Sequence, residues 1–273
     1  MNANLLAILG SLCLLSEAAV SQSFRQPISS IYLGLGAYST QHTDVFSFTN
    51  NQGALAQLKD AAAGVYGERR FLLQATSMYS AVVAIPSNMG NFGLDLCYAG
   101  YKSFNESQVG LAYARSLGSK VDIGIQFNYY NYRVPSYSNA STVNFEVGAM
   151  VHLTNQLNLG IHAYNPAGGK FSKTDEKLTA AYKMGIGYDV SDEFFVAAEI
   201  VKEEDYPVNL NAGVQYRFMK QFFARIGVSS GSSIGYAGAG ISWNHIRLDI
   251  SGSYHPQLGF SPGLLLTMDF GDK

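Results

Sequence analysis

A closed antiparallel β-barrel that crosses a membrane is the fold class this sequence predicts, and three observations predict it. Apolar and polar residues alternate with a period of two in one segment after another, the signature of strands with one greasy and one wet face. These segments match the roughly 9–11 residues that a strand tilted by about 45° needs to cross a bilayer. The connections alternate between tight turns and longer polar loops, as in outer-membrane barrels. Composition agrees: charged residues make up 14% of the 273, while the chain carries 18 Tyr, 16 Phe and 28 Gly.

The hairpin from Pro207 to Ser229 shows the pattern best. Val208, Leu210, Ala212, Val214, Tyr216 and Phe218 alternate with Asn209, Asn211, Gly213, Gln215 and Arg217. After Met219-Lys220-Gln221, Phe222, Ala224, Ile226 and Val228 alternate with Phe223, Arg225, Gly227 and Ser229. The net charge of −2 offers no electrostatic footprint for nucleic acid. No apolar run long enough for a membrane helix follows the N-terminus.

Taken in order, residues 1–21 read as a secretory signal, with an apolar core from Leu5 to Leu15 and small residues at Ala19-Val20-Ser21. Cleavage there leaves Cys97 alone and no internal disulfide. Residues 22–62 do not alternate. Ile31 to Ala37 reads as a short extended piece, and Asp44 or Asn50 is placed to cap a helical turn before Leu58. This stretch is either a surface loop or a plug folded into the lumen. The barrel is expected over residues 63–273. Its strands are Gly64–Leu73, Met78–Ile85, Phe92–Tyr101, Gln108–Leu117, Val121–Tyr132, Asn144–Thr154 and Gln156–Tyr164. Lys177–Val190, Glu193–Val201, the two strands of the hairpin, Ser233–Trp243, Ile246–Tyr254 and Gly263–Phe270 complete them. That makes about fourteen strands, an even number, as single-chain bacterial barrels have.

The expected turns are Thr154-Asn155, Val190–Glu193, Met219–Gln221 and Asn244-His245; the expected loops are Arg133–Ser141, Asn165–Glu176, Lys202–Pro207, Ser229–Ser233 and Pro256–Pro262. Phe194, Phe195, Phe218, Phe222, Phe223 and Trp243 gather at the tight-turn ends, where an interfacial aromatic girdle belongs.

The polar parity carries Asp95, Asp122, Glu146, Lys183, Asp189, Glu199, Arg217, Arg225, Arg247 and Asp249. Lys or Arg on the lipid face at the midplane would cost roughly 2–4 kcal/mol each, so these residues are assigned to the lumen as a polar network. Gly93, Gly124, Gly148, Gly160, Gly185, Gly187, Gly213 and Gly227 share that parity and leave room for an inserted segment or for tight curvature. Arg115 sits on the apolar parity near a strand end, where it snorkels.

Catalytic chemistry is not indicated. His152 and His162 share the lumen parity on neighbouring strands, but no third metal ligand joins them. Asp122 and Glu146 are the scattered carboxylates of a polar interior, and no spacing singles out Ser80, Ser116 or Ser251 as a nucleophile. The expectation is a non-enzymatic protein without metal or cofactor.

A signal, then Gly34-Leu-Gly-Ala37, then Asp44–Ala56 and about fourteen strands together resemble the FadL/PorV-type outer-membrane barrels. That superfamily carries Phe-x-Asn-Pro-Ala-x-Leu-Ala in an N-terminal hatch inside the barrel. Here the corresponding stretch is Thr49–Ala56: Asn51, Leu55 and Ala56 match, while Gln52 replaces Pro and Gly53 replaces Ala. The resemblance implies a hatch over 22–62 and a bacterial outer-membrane location. The implied partners are the lipid bilayer, lipopolysaccharide and other envelope or secretion-system proteins. Short outer loops favour a small PorV-like accessory or scaffold, related to type IX secretion. The alternative it implies is a FadL-like passive channel for hydrophobic or small solutes.

Overall fold

The computed structural model describes residues 35–134, 138–171, 177–219, 221–231 and 234–271. The signal expected over 1–21 lies outside them. The chain forms one closed barrel in which every strand pairs antiparallel with its sequence neighbours. The strands are β1 (Ala62–Arg69), β2 (Ser77–Ile85), β3 (Asn91–Tyr101), β4 (Phe104–Leu117), β5 (Val121–Val134), β6 (Ser138–His152) and β7 (Leu157–Tyr164). The other half is β8 (Ala181–Asp189), β9 (Phe194–Glu203), β10 (Asn209–Phe218), β11 (Phe222–Ser229), β12 (Ile234–Trp243), β13 (Ile246–His255) and β14 (Gly259–Asp269). Closure is made by β1 on β14, in register from Ala62↔Asp269 to Glu68↔Gly263. All fourteen expected strands are present, with their bounds shifted at several ends.

The two faces follow from the pleat. On β8, Ala181, Lys183, Gly185, Gly187 and Asp189 point inward and are buried, while Tyr182, Met184, Ile186 and Tyr188 point outward and are exposed. The same division recurs on β10, with Asn211 and Gln215 buried and Leu210 and Tyr216 exposed. An apolar outer face with a buried polar interior inverts a water-soluble protein and suits hydrocarbon surroundings.

Aromatic rings mark both rims of that outer face. At the end holding the tight turns lie Phe92, Phe218, Phe222, Trp243 and Phe270; at the opposite end lie Tyr79, Tyr98, Tyr101, Tyr254 and Phe260, all exposed. Two such belts are where amphipathic rings settle at membrane interfaces. Arg115 is exposed near the end of β4, in keeping with its outward parity.

Several expectations need correction. Phe195 and Phe223 are not in the girdle: each sits on the inward parity and is buried. The loop expected over Arg133–Ser141 is mostly strand, because β5 and β6 pair up to Val134↔Ser138. Past the hydrocarbon both faces meet water, so alternation fades there while pairing continues. Conversely, the strand expected from Lys177 begins only at Ala181; Leu178 and Ala180 are buried in the preceding loop. The first strand stops at Arg69, and Phe71 and Leu72 take left-handed φ of 54° and 58° in the turn that follows. Of the extended piece expected over Ile31–Ala37, residues 31–34 lie outside the described residues, and Leu35–Ala37 belong to the 3₁₀ turn Leu35–Tyr38.

The even strand count returns the chain to the tight-turn end, where Phe270 N donates to Ala61 O. The described N-terminal segment joins β1 at that end and folds inside the barrel. Three short 3₁₀ turns make it up: Leu35–Tyr38, Ser47–Thr49 and Gln52–Gln57. Asn51 caps the last, its side chain accepting from Gly53 N; Asn50 instead closes the turn before it.

The outward face yields a first prediction. Ile250, 64% exposed at the middle of β13, is expected to tolerate Arg poorly: Ile250→Arg should lose about 2–4 kcal/mol in urea titrations of the protein folded into lipid vesicles. A change within about 0.5 kcal/mol, typical of a water-exposed surface site, would contradict the bilayer orientation.

Candidate functional site

The interior half of the barrel nearest the tight turns is filled by the N-terminal segment, and the inward-facing glycines make that possible. A methyl group built on Gly185 would lie 2.2 Å from Tyr38 Cζ, on Gly160 2.4 Å from Tyr38 Cε1, and on Gly187 2.3 Å from the Tyr38 carbonyl oxygen. On Gly124 it would meet Gln52 O at 2.4 Å, and on Gly148 Asn51 Oδ1 at 2.4 Å. Real Cβ atoms do not approach so closely. The wall is bare at these places because the segment's backbone and side chains occupy the space. Gly93 faces Phe48 and Leu55, and Gly213 faces Leu35.

Apolar packing supplies one part of the fit. Val45, Phe46, Phe48 and Leu55 form a buried cluster with Ala62, Tyr66, Val82, Ala84, Ala112, Ala114 and Leu265 of the wall, and Ala56 packs against it. Leu35 and Tyr38 make a second cluster with Met150, Phe195 and Ala197. Roughly 25 cal/mol per Å² of apolar surface removed from water makes such clusters the main attraction between plug and wall.

Polar wall residues make the fit directional. Glu199 accepts from Tyr38 Oη at 2.8 Å, Asn50 Nδ2 at 3.2 Å and Asn211 Nδ2 at 2.8 Å. Lys183 Nζ donates to Asn50 Oδ1 at 2.6 Å. Asp189 accepts from Ser39 Oγ at 2.5 Å and Thr40 N at 3.0 Å, with His42 Nδ1 at 3.4 Å. Glu146 accepts from Gln52 Nε2 at 2.9 Å and Asn128 Nδ2 at 2.6 Å, and lies 3.0 Å from His162 Nε2. Arg247 donates to Asp44 at 2.9 Å and to Asp249 through two bonds of 3.0 and 2.5 Å. Asn51 reaches into the wall itself, donating to Ala149 O and Ile161 O at 3.2 and 3.1 Å.

Buried carboxylates need such donors, since an unpaired buried polar group costs about 1–3 kcal/mol. The ten residues assigned to the lumen from parity therefore divide. Glu146, Lys183, Asp189, Glu199 and Arg247 hold the N-terminal segment directly, and Asp249 acts through Arg247. Asp122 pairs with His152 Nε2 at 2.8 Å, and His152 meets Asn158 at 2.6 Å. Asp95 takes a contact from Cys97 Sγ at 3.3 Å. Arg217 and Arg225 stand elsewhere, on β10 and β11, with the Arg225 guanidinium 5.1 Å from the Phe223 ring centre. His152 and His162 bind separate carboxylates, and no cluster of three or more metal-ligating side chains occurs among the described residues.

Residues that sequence reasoning missed are those of the segment itself, Tyr38, Ser39 and Thr40, and the pairing of Asp44 with Arg247. No periodicity marks them, because an irregular chain inside a barrel answers to the wall and not to a repeat. Asn91 was missed too; its Nδ2 donates to Leu55 O and Leu58 O at 2.7 and 2.8 Å. Its inward parity, next to Gly93, was the available signal.

The loop end is closed on one side. The loop between β7 and β8 lays Phe171 and Leu178 against Tyr130 and Ala140, with Tyr132 and Tyr164 around them.

No known family profile matches the sequence, and no curated protein does. Solved structures do match. A CymD monoaromatic hydrocarbon channel superposes with a TM-score of 0.63 at 12% identity, covering 89% of this chain and 97% of its own. The Pseudomonas putida toluene transporter TodX gives 0.62 at 10% identity, covering 87% and 95%. A Pseudomonas aeruginosa FadL homologue gives 0.61 at 12% identity, covering 84% and 95%. The chain therefore has the barrel fold of these FadL-like channels.

Wall glycines provide the check on this packing. Gly185→Ala should destabilise the folded barrel by about 1–3 kcal/mol through overpacking against Tyr38 and should increase proteolysis of the N-terminal segment. Gly235→Ala, with nothing within 4 Å of the added methyl, should stay within about 0.5 kcal/mol. Equal effects at both positions would contradict the packing described.

Proposed function

We propose that this chain is a conduit for small apolar solutes through a bacterial outer membrane, with its N-terminal segment serving as the hatch. The observation that carries this reading is a fourteen-stranded membrane barrel whose inner half is filled by a segment of the same chain. Such a plug is held by separable contacts: two clusters of apolar side chains and discrete hydrogen bonds at Glu199, Asp189, Glu146 and Arg247. The fold shared with hydrocarbon channels supports the same reading. The expected partners are then the bilayer and lipopolysaccharide, and the chemistry is transport without covalent change.

The second reading is the PorV-like accessory role at the cell surface. The closed loop end at Phe171, Leu178 and Tyr130, together with the filled interior, favours it, since a scaffold needs no passage. Deletion and complementation separate the two. A conduit predicts that uptake of a monoaromatic hydrocarbon by cells falls on deletion and returns with the native gene. Unchanged uptake, with the protein recovered in a stable complex with other envelope proteins, would overturn the conduit in favour of the accessory role.

A further inference from the structure

The outer surface of the barrel sorts charge by sign. On the described strands every Asp and Glu has the inward parity, from Glu68 on β1 to Asp269 on β14. The outward parity carries only cations: Arg69, Arg115, Arg133 and Lys202. Arg115 lies towards the tight-turn rim and the other three towards the loop rim.

Arg133 differs from the rest in what surrounds it. β4, β5 and β6 run for 14, 14 and 15 residues, against 10, 8 and 10 for β10, β11 and β12. The extra length lifts outward side chains past the aromatic belt, and the register sets them in rows. Leu111, Phe127 and Phe145 form one apolar row, and Val109, Tyr129 and Val143 the next towards the loops. Beyond them come Ser107, Asn131 and Ser141, then Asn105, Arg133 and Asn139. Apolar contact gives way to hydroxyls, amides and a guanidinium within one step of the pleat. Arg133 and Asn139 are exposed, while Glu106 is buried on the opposite side of the sheet. On β11–β14 the outward residues at the loop end are Val228, Gly235, Tyr254 and Phe260, so that rim has no such rows. Neighbouring strands stand about 4.8 Å apart and alternate residues about 7 Å, so the six side chains cover roughly 10 by 7 Å. One or two sugar rings fill such an area.

We propose that this patch binds the phosphorylated sugar headgroup of a glycolipid in the outer leaflet. Arg133 takes the phosphate, because its forked N–H donors match paired phosphate oxygens. Asn131 and Asn139 take the sugar hydroxyls, since an amide both donates and accepts. The acyl chains then lie along Val109, Tyr129, Val143 and Phe127. Charge complementarity and position select this occupant: the described outward face offers cations without acids, and the patch begins where the lipid-facing surface ends. An arginine that only snorkels needs water above the belt and no ring of amides around it. The inference rests on the bilayer orientation and stands whether or not the lumen conducts a solute.

The test is native mass spectrometry of the full-length protein in detergent, with heat-modifiable mobility confirming that each variant is folded. The probes are bisphosphorylated lipid A, its dephosphorylated form, phosphatidylglycerol and soluble glucosamine 6-phosphate. The native protein should retain one lipid A in preference to the other three. Arg133→Gln should weaken that binding about tenfold, as loss of a charge-assisted contact does, and Arg133→Lys by less. Asn131→Ala with Asn139→Ala should erase the preference for lipid A over phosphatidylglycerol. Arg115→Gln, at the opposite rim, should change nothing. Equal losses in Arg133→Gln, Arg69→Gln and Lys202→Gln would mean a general attraction of anionic lipid to the rim and overturn the site. Unchanged binding in Arg133→Gln, or no lipid A retained by the native protein, overturns it as well. Binding of glucosamine 6-phosphate as tight as that of lipid A would make a free sugar phosphate the ligand and overturn the lipid assignment.

Discussion

Every other feature of this molecule depends on the backbone ladder that closes β1 onto β14. In hydrocarbon no water is available to satisfy an amide, so an open sheet edge would leave a row of unpaired donors and acceptors. The register from Ala62↔Asp269 to Glu68↔Gly263 removes that edge. Closure creates an enclosed interior, and with an even number of strands it brings both ends of the barrel chain to one rim. The N-terminal segment joins β1 at that rim, within reach of the space it occupies.

An enclosed interior raises its own problem, because polar side chains that avoid lipid must find partners inside. Here the wall and the segment solve it jointly. Glu199, Asp189 and Glu146 are buried carboxylates whose donors come largely from Tyr38, Ser39, Thr40, Asn50 and Gln52. The glycines at Gly148, Gly160 and Gly185 allow the segment to lie against the strand backbone, so that Asn51 bonds to wall carbonyls. The packed interior and the bare wall are therefore one feature. Segment and barrel hold each other through many contacts that are individually modest.

The alternation was legible wherever one face meets lipid and the other the interior, as on β8 or β10. It was misleading where that asymmetry ends. Arg133–Ser141 looks like a loop because it is polar on both sides, yet Arg133, Val134 and Ser138 to Ser141 continue the pairing of β5 and β6. Leu178 and Ala180 look like the start of a strand because they alternate, yet they are buried in a loop that covers the opening. Phe195 and Phe223 share parity with Glu199 and Arg225, so their inward position was readable. Aromatic clustering at strand ends suggested a girdle instead, because it does not distinguish an outward ring from an inward one.

Sequence by itself determined which parity of most strands is apolar and which polar, and the number of strands. A pleat has only two sides, and lipid enforces the choice at every second residue. Tertiary structure alone decided which charges meet the N-terminal segment and which pair among themselves on the wall. Those outcomes depend on strand stagger around a closed ring and on the path of an irregular chain, and neither leaves a period in the sequence.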